Sequence, residues 1–475
     1  MSEKLTSPAR AGEVETRSVE GEGDRVGTYA KMLRADPITL TRRYAATSPA
    51  RRAGEVLLPW LLALAVAVVL PWLFYDFHHA RHSGFALSMF SQMGMMIIFA
   101  LSFNMLMGQA GLLSFCHSVL FGFGGYSTVH FLDSAGAGNL PVPMELMPLL
   151  AGFSGLGLAI AVGYVASKQR STAFAMITLG IVQLVTTAAT MFHHFFGGEG
   201  GIKTDREIGI SLFGLEYAKS IEVYYLIVAW MMIAAIAMYY HTGTPLGRMA
   251  NACRDNHERA QFVGYDPRMV RFLQFALSGF FAGIGGGLFA ITYEIVTFDA
   301  VAAPLAANAL LMAYIGGATT FVGPVLGAVL ITAMQSGVSL MSNSWLIYVG
   351  VLFIAMVTFA PAGLTGIVLA HAPIARAGML RRLLVPYLRM VVPALLVFLG
   401  FVGLVELSSF LTIGAAQGKQ LALFGHSLAI TSTTPWLVSL ICLGGGGYWL
   451  SREATRFRSV WDDLSAGLRT ASAAR

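Results

Sequence analysis

Charge is scarce in this chain. Asp, Glu, Lys and Arg supply 12% of its 475 residues, roughly half the usual share of a soluble protein, which excludes an ordinary water-soluble globule. Cysteine is scarcer still: Cys116, Cys253 and Cys442 stand far apart, with no C-x-x-C pair and no zinc-ligand spacing, so neither a disulfide framework nor a structural zinc site is encoded. No G-x-x-x-x-G-K-[ST] phosphate loop occurs. The nearest approach, Gly414 to Gln420, is one residue short and lacks the hydroxyl that holds magnesium; any ATP is hydrolysed on another chain. Acidic residues avoid the centres of apolar runs. Asp76, Asp133, Glu145, Glu222, Glu294 and Asp299 fall at their ends and Glu406 toward one end, which weighs against an ion-coupled carrier built on a mid-membrane carboxylate. The first 55 residues or so lack the apolar core of a cleavable signal peptide and read as a disordered cytoplasmic tail.

What the chain has is hydrophobic residue, 56% of the total, with a mean hydropathy of +0.67. Apolar runs of about 20 residues recur, the length that carries an α-helix across the hydrocarbon core. They do not alternate as barrel strands do, and backbone amides in lipid must be satisfied within their own segment. The fold class is therefore all-α, a polytopic integral membrane helical bundle. Twelve spans are expected, near 56–76, 85–107, 110–132, 145–166, 171–196, 221–240, 270–292, 303–320, 322–341, 344–361, 389–411 and 429–450. The division expected is a tail over 1–55, a transmembrane domain of about ten spans over 56–370, and an extension over 371–475 with two more spans and a basic tail. Cations crowd the even-numbered connections: Lys168 and Arg170, then Arg248, Arg254, Arg259, Arg268 and Arg271, then Arg376, Arg381, Arg382 and Arg389. That bias puts both termini in the cytoplasm, and it makes the net charge of +6 a matter of topology in a lipid bilayer, with no nucleic acid partner implied.

Glycine is the second message. Gly279, Gly283 and Gly287 form a stripe at four-residue spacing, the pattern of closely packed membrane helices. The clusters at 108–125 and 316–327 read differently, since interruptions in two separate halves can mark broken or re-entrant helices around a solute path. Polar residues inside spans must be hydrogen-bonded or wet. Asn104, Gln109, Ser114, His117, Thr178 and Gln183 are the candidates to line that path; Thr186, Asn308 and Gln335 share the pattern. His78, His79 and His82 form an H-H-x-x-H run that fits interfacial histidines beside aromatic anchors better than a metal site. No cofactor is called for.

Between the sixth and seventh spans the punctuation is explicit. Thr244-Pro245 reads as N-cap and first helical residue, Gly264 as the residue past a helix end, and Asp266-Pro267 as the next start. The spacing of Met249, Ala252, Cys253, Ala260 and Val263 predicts one amphipathic helix over 244–264, with Arg254 and Glu258 one turn apart and able to pair.

Ala100–Gly111 (ALSFNMLMGQAG) followed by Leu112, Leu113 and Ser114 resembles the "LNxxxGxAGxxSxG" segment of branched-chain amino acid ABC transporter permeases. Phe174–Gly180 with Gly197–Gly201 resembles that family's "FAxxTL…TGGxxG" pairing, Gly247–Glu258 through Gly264 its "GRAxRAIRENExxAxxxGI" loop, and Gly323–Gly327 its "GPxxG". The likeness spans about residues 57–370. It implies an inner-membrane permease subunit, itself no enzyme, working with ABC ATPase subunits, a second homologous permease and a periplasmic substrate-binding protein. The solute implied is a branched-chain or related amino acid, with urea, amides, aromatic acids or sugars as alternatives. The loop becomes the coupling helix that docks on the ATPase, through Gly247, Arg248, Arg254, Glu258 and Gly264.

Overall fold

The structure is a computed structural model that describes residues 49–76, 81–169, 171–208, 211–212, 214, 216–412, 420–423, 426–429 and 433–473. The expected polar tail up to residue 48, His78, His79 and the stretch 414–419 lie outside the described residues. The chain divides into two compact units, Met1–Val66 and Ala67–Arg475. The described part of the first is the opening of helix α1 (Pro49–Val69).

The second unit is a helical bundle. Its helices are α2 (Gly84–Asn104), α3 (His117–Gly136), α4 (Met147–Ala166), α5 (Ser171–Met191), the short α6 (His193–Phe196) and α7 (Ser220–Gly243). There follow α8 (Pro245–Asp255), α9 (His257–Phe262), α10 (Pro267–Tyr293), α11 (Ala303–Gly316), α12 (Gly323–Ala333), α13 (Trp345–Phe359), α14 (Gly363–Arg376), α15 (Leu380–Thr412) and α16 (Thr434–Ala473). Strands are limited, among the described residues, to short antiparallel pairs such as Ile202–Lys203 with Ile295–Val296.

The expected fold class holds, while fewer than the twelve expected spans are, among the described residues, single helices long and apolar enough to cross by themselves. By length and composition six described helices can cross a membrane, or seven if the bent pair α13–α14, which turns by 44°, is one span. For three of the expected spans the reason lies in the glycine clusters. The expected spans at 303–320 and 322–341 are the short helices α11 and α12, and at 14 and 11 residues each falls short of the roughly 20 needed to cross. The third expected span starts, after Ala110, with six non-helical or turn residues, 111–116, before α3 begins. Toward the C-terminus the helices outrun their apolar cores: α15 begins at Leu380 and α16 continues to Ala473, 40 residues in all.

α10 is the centre of the bundle. It packs against α4 on one side and α3 on the other, and the glycine stripe sets how closely. A methyl group at Gly283 would meet the Ala151 carbonyl of α4, and one at Gly155 of α4 would stand 2.5 Å from the Gly279 carbonyl. Backbones at that distance gain dispersion contact along their length, which in lipid replaces the hydrophobic drive.

A broken helix held from the loop

α2 does not end cleanly. It widens into a π-turn over Met105–Gln109 and then leaves helical geometry, with Gly111 at φ +69°. Such a widening frees carbonyls from the helical ladder, and each must find a donor. Gln274 of α10 supplies one: its Nε2 donates to the Met105 carbonyl at 2.8 Å and to Gln109 Oε1 at 3.1 Å. Its Oε1 accepts from His241 Nε2 of α7 at 2.9 Å, which places the ring proton on that nitrogen. Arg254 of α8 supplies the other donor, its Nη1 reaching the Gly108 carbonyl. The remaining face of the guanidinium pairs with Asp255 at 3.0 Å.

A second break faces the first. α11 ends at Gly316, Gly317 sits at φ +110°, and α12 restarts at Gly323. Hydroxyls hold this one. Thr365 of α14 donates to the Gly316 carbonyl at 2.9 Å, Thr320 donates to Thr365 at 2.9 Å, and Gly323 N–H donates to Thr320 at 3.1 Å. The two breaks touch: a methyl group at Gly108 would lie 2.5 Å from the Ala318 carbonyl.

Five of the six path candidates gather around the first break. Asn104 and Gln109 are buried within it, Ser114 and His117 close it, and Thr178 of α5 accepts from Phe115 N–H at 3.2 Å. Asn104 Oδ1, Ser114 Oγ and both ring nitrogens of His117 are buried without a hydrogen bond of normal geometry. The His117 ring is instead packed by Phe103 and Phe99, at 5.4 and 6.0 Å between centroids. Gln183 is separate, standing on an exposed face of α5, where period 3.6 turns it away from Thr178.

The loop corrects two expectations. It is two helices: Asn256, at φ −154°, ends α8 and caps α9 by accepting from Arg259 N–H at 2.9 Å. That corner removes the helical spacing between Arg254 and Glu258, so Arg254 turns to Gly108 and Asp255 while Glu258 stays exposed. The end signals hold. Thr244 accepts from Gly247 N–H at 3.3 Å, Gly264 takes φ +93°, and Asp266 accepts from Arg268 N–H at 2.9 Å. Gly247 is buried so tightly that a side chain would strike the His241 carbonyl, while Arg248 is exposed. Sequence reasoning missed Gln274, although the rule that singled out other polar residues in spans applies to it equally. It also missed Phe262, which ends α9 with 90% of its surface exposed.

On its inner side the loop bounds a cavity of about 140 Å³. One wall is Ala110, the last helical residue, with the unwound Gly111 and Leu112; the other carries Cys253, Arg254, His257 and Arg271. Arg271 is buried and donates to the Ser167 carbonyl at 3.2 and 3.4 Å. Burial pushes the Cys253 thiol up; Arg271 opposes that shift and Asp266 adds to it. Among the described residues, no group of three or more His, Cys, Asp or Glu could hold a metal ion.

A bundle of apolar spans interrupted at two touching breaks, one of them gripped by a charged loop helix, defines a multi-pass membrane permease. Residues 85–361 match the family described as "Branched-chain amino acid transport system / permease component", and the chain belongs to it. The high-affinity branched-chain amino acid transport system permease protein LivM of Escherichia coli K12 is 25% identical over 292 residues, covering 56% of this chain and 67% of that protein. LivM of Salmonella typhimurium LT2 is 24% identical over 289 residues, with the same coverage. The ribose import permease protein RbsC of Haemophilus influenzae is 24% identical over 220 residues, covering 43% of this chain and 61% of that protein. No solved structure matches the chain.

Proposed function

We propose that this permease imports branched-chain or closely related amino acids across a bacterial inner membrane, as one subunit of an assembly with ATPases, a second permease and a periplasmic binding protein. The likeness to the two LivM proteins supports that solute; the ribose permease supports a sugar as the second reading. In this reading residues 56–370 are the transport core, 371–475 an added module, and both termini and the α8–α9 loop face the cytoplasm, where the cation bias favours them.

The observation that carries the coupling step is the bond from Arg254 to the Gly108 carbonyl. α8 and α9 dock on the ATPase through Phe262, Val263 and Glu258, all exposed. ATPase closure shifts the loop as a unit, because packed helices move as rigid bodies. Arg254 then pulls on the unwound stretch, whose ladder is already open, and the polar groups of Asn104, Ser114 and His117 are uncovered to the solute. Gln183 contributes from α5, since an exposed amide in a span needs water or a second chain across from it.

The test is uptake by the reconstituted assembly, with each candidate solute presented on the cognate binding protein. Leucine, isoleucine or valine should drive ATP hydrolysis and appear inside; a binding protein that takes only a pentose overturns the amino acid assignment. Gly264→Val and Glu258→Ala, assayed separately, test the loop. If both variants transport at the unaltered rate, the ATPase grips elsewhere.

A further inference from the structure

α15 begins beyond the family match, which ends at residue 361, and its opening turns carry a surface that topology alone does not require. Arg381, Arg382 and Arg389 are all exposed. At 3.6 residues per turn they share one side of the helix with Val385, Leu388 and Val392, which are exposed too. Cations that serve only to orient a span gather in the loops past its end; these alternate with valine and leucine along the lipid-facing side. Residues 390–412 alone extend about 35 Å at roughly 1.5 Å per residue, enough to cross the hydrocarbon core. The turns from Arg381 to Arg389 therefore stand at headgroup level, where long cationic side chains meet phosphates.

The three guanidiniums are uncompensated. Among the described residues, none of them has an ion pair or a side-chain hydrogen bond. α14 has no acidic residue. On α16, Glu453 is held by Arg456 at 2.6 Å, and Asp462 and Asp463 pair with none of the three. Proline supplies a second observation. Pro386 and Pro393 lie inside α15 and have no N–H, so the carbonyls four residues earlier lose their helical donor. Those carbonyls belong to Arg382 and Arg389. Each of these two residues offers a cation and an acceptor from one place, and they stand about 10 Å apart along the helix.

We propose that this face binds an anionic phospholipid with a hydroxyl-bearing headgroup, as in phosphatidylglycerol. The phosphate diester accepts from Arg382 and Arg389, whose planar forks match its oxygens. The headgroup hydroxyls donate to the freed carbonyls, and the acyl chains lie along Val385, Leu388 and Val392. Arg381 adds a third positive charge at the rim. The site lies outside the matched region and depends neither on the solute nor on which side of the membrane it faces.

The full chain, purified in detergent and stripped of lipid, is titrated with phosphatidylglycerol, phosphatidylmethanol and phosphatidylcholine, and bound lipid is counted by native mass spectrometry. Phosphatidylmethanol keeps the anionic diester without the hydroxyls; phosphatidylcholine is zwitterionic. Affinity should fall in that order. Arg389→Gln should weaken phosphatidylglycerol binding roughly tenfold, and Arg389→Lys, which keeps the charge and loses the fork, by less. If Arg389→Gln does not yield folded protein, Arg382→Gln takes its place with the same loss expected. Arg268→Gln removes an exposed cation from the start of another span, α10, and should leave binding unchanged. Equal affinity for phosphatidylglycerol and phosphatidylcholine, equal affinity for phosphatidylglycerol and phosphatidylmethanol, or a loss in Arg268→Gln as large as that in Arg389→Gln overturns the site.

Discussion

The two breaks are alike in cause and unlike in support. Both come from glycine, at φ +69° in Gly111 and φ +110° in Gly317, and both leave carbonyls that a helix would have used. The first is held by long side chains from distant elements: an amide from α10 and a guanidinium from the loop. The second is held by short hydroxyls, Thr320 within the break itself and Thr365 on the neighbouring helix α14. A long flexible donor tolerates movement of its acceptor; a threonine fixed on a neighbouring helix does not. In the coupling proposed above, the first break is therefore the part expected to move and the second the edge expected to stay fixed.

The largest effect should come from Arg254→Gln. A hydrogen bond from a charged donor is worth about 1.5–3 kcal/mol, so uptake should fall by roughly 10- to 100-fold while ATP hydrolysis continues, the mark of uncoupling. Loss of both activities together would mean that Arg254 is only structural. Gln274→Leu should come next, by destabilisation: it strands the Met105 carbonyl and the His241 ring at a cost of about 1–3 kcal/mol, read as a lower midpoint in thermal unfolding of the detergent-solubilised protein. Thr365→Val removes the bonds to Gly316 and Thr320 and should cost about 1 kcal/mol with little change in the ratio of uptake to ATP hydrolysis. If that ratio changes as much as in Arg254→Gln, the distinction between moving and fixed breaks fails. The smallest effect is expected of Gln183→Leu, which should leave the unfolding midpoint unchanged and reduce uptake a few-fold. An unaltered rate would make Gln183 a packing residue.

A pH series sharpens the same contrast from the loop side. Burial raises the Cys253 thiol above its ordinary value, so less thiolate is present at any given pH than in a free cysteine. Labelling should be slower than for a free thiol at pH 8 and climb with pH beyond the point where free cysteine has levelled off. Arg271→Gln removes a cation that opposes the shift, so it should slow labelling further at fixed pH.

The parts of this plan written in local chemistry were legible in the sequence. Thr244-Pro245, Gly264 and Asp266-Pro267 each mark a helix end, because a cap is satisfied within three or four residues of itself. The glycine stripe of α10 and the clusters at both breaks were legible as composition. The number of spans was not, since a hydropathy window measures how apolar a stretch is and not whether it doubles back. Nor were the partners of Arg254 and Gln274. Gly108 lies 146 residues from Arg254 and Met105 lies 169 from Gln274, and no periodicity encodes a bond across that distance. Asn256 is a lesson of a smaller kind: one residue in extended geometry rotated Glu258 out of the register that helical spacing had given it.

The helix α16 runs unbroken for 40 residues, from Thr434 to Ala473. At about 1.5 Å per residue it is roughly 60 Å long, twice the thickness of the hydrocarbon core. Its second half is tied to α14 and α15 through Phe457, Trp461 and Leu464 around Ile374 and Leu383, with His371 against Trp461 at 4.9 Å between ring centroids. For image reconstruction this is an anchorage: membrane transporters give projections with few features outside the micelle by which particles can be aligned. A compact soluble domain spliced in helical register onto α16 would turn with the bundle as one piece and supply those features, with no substitution in the transport core.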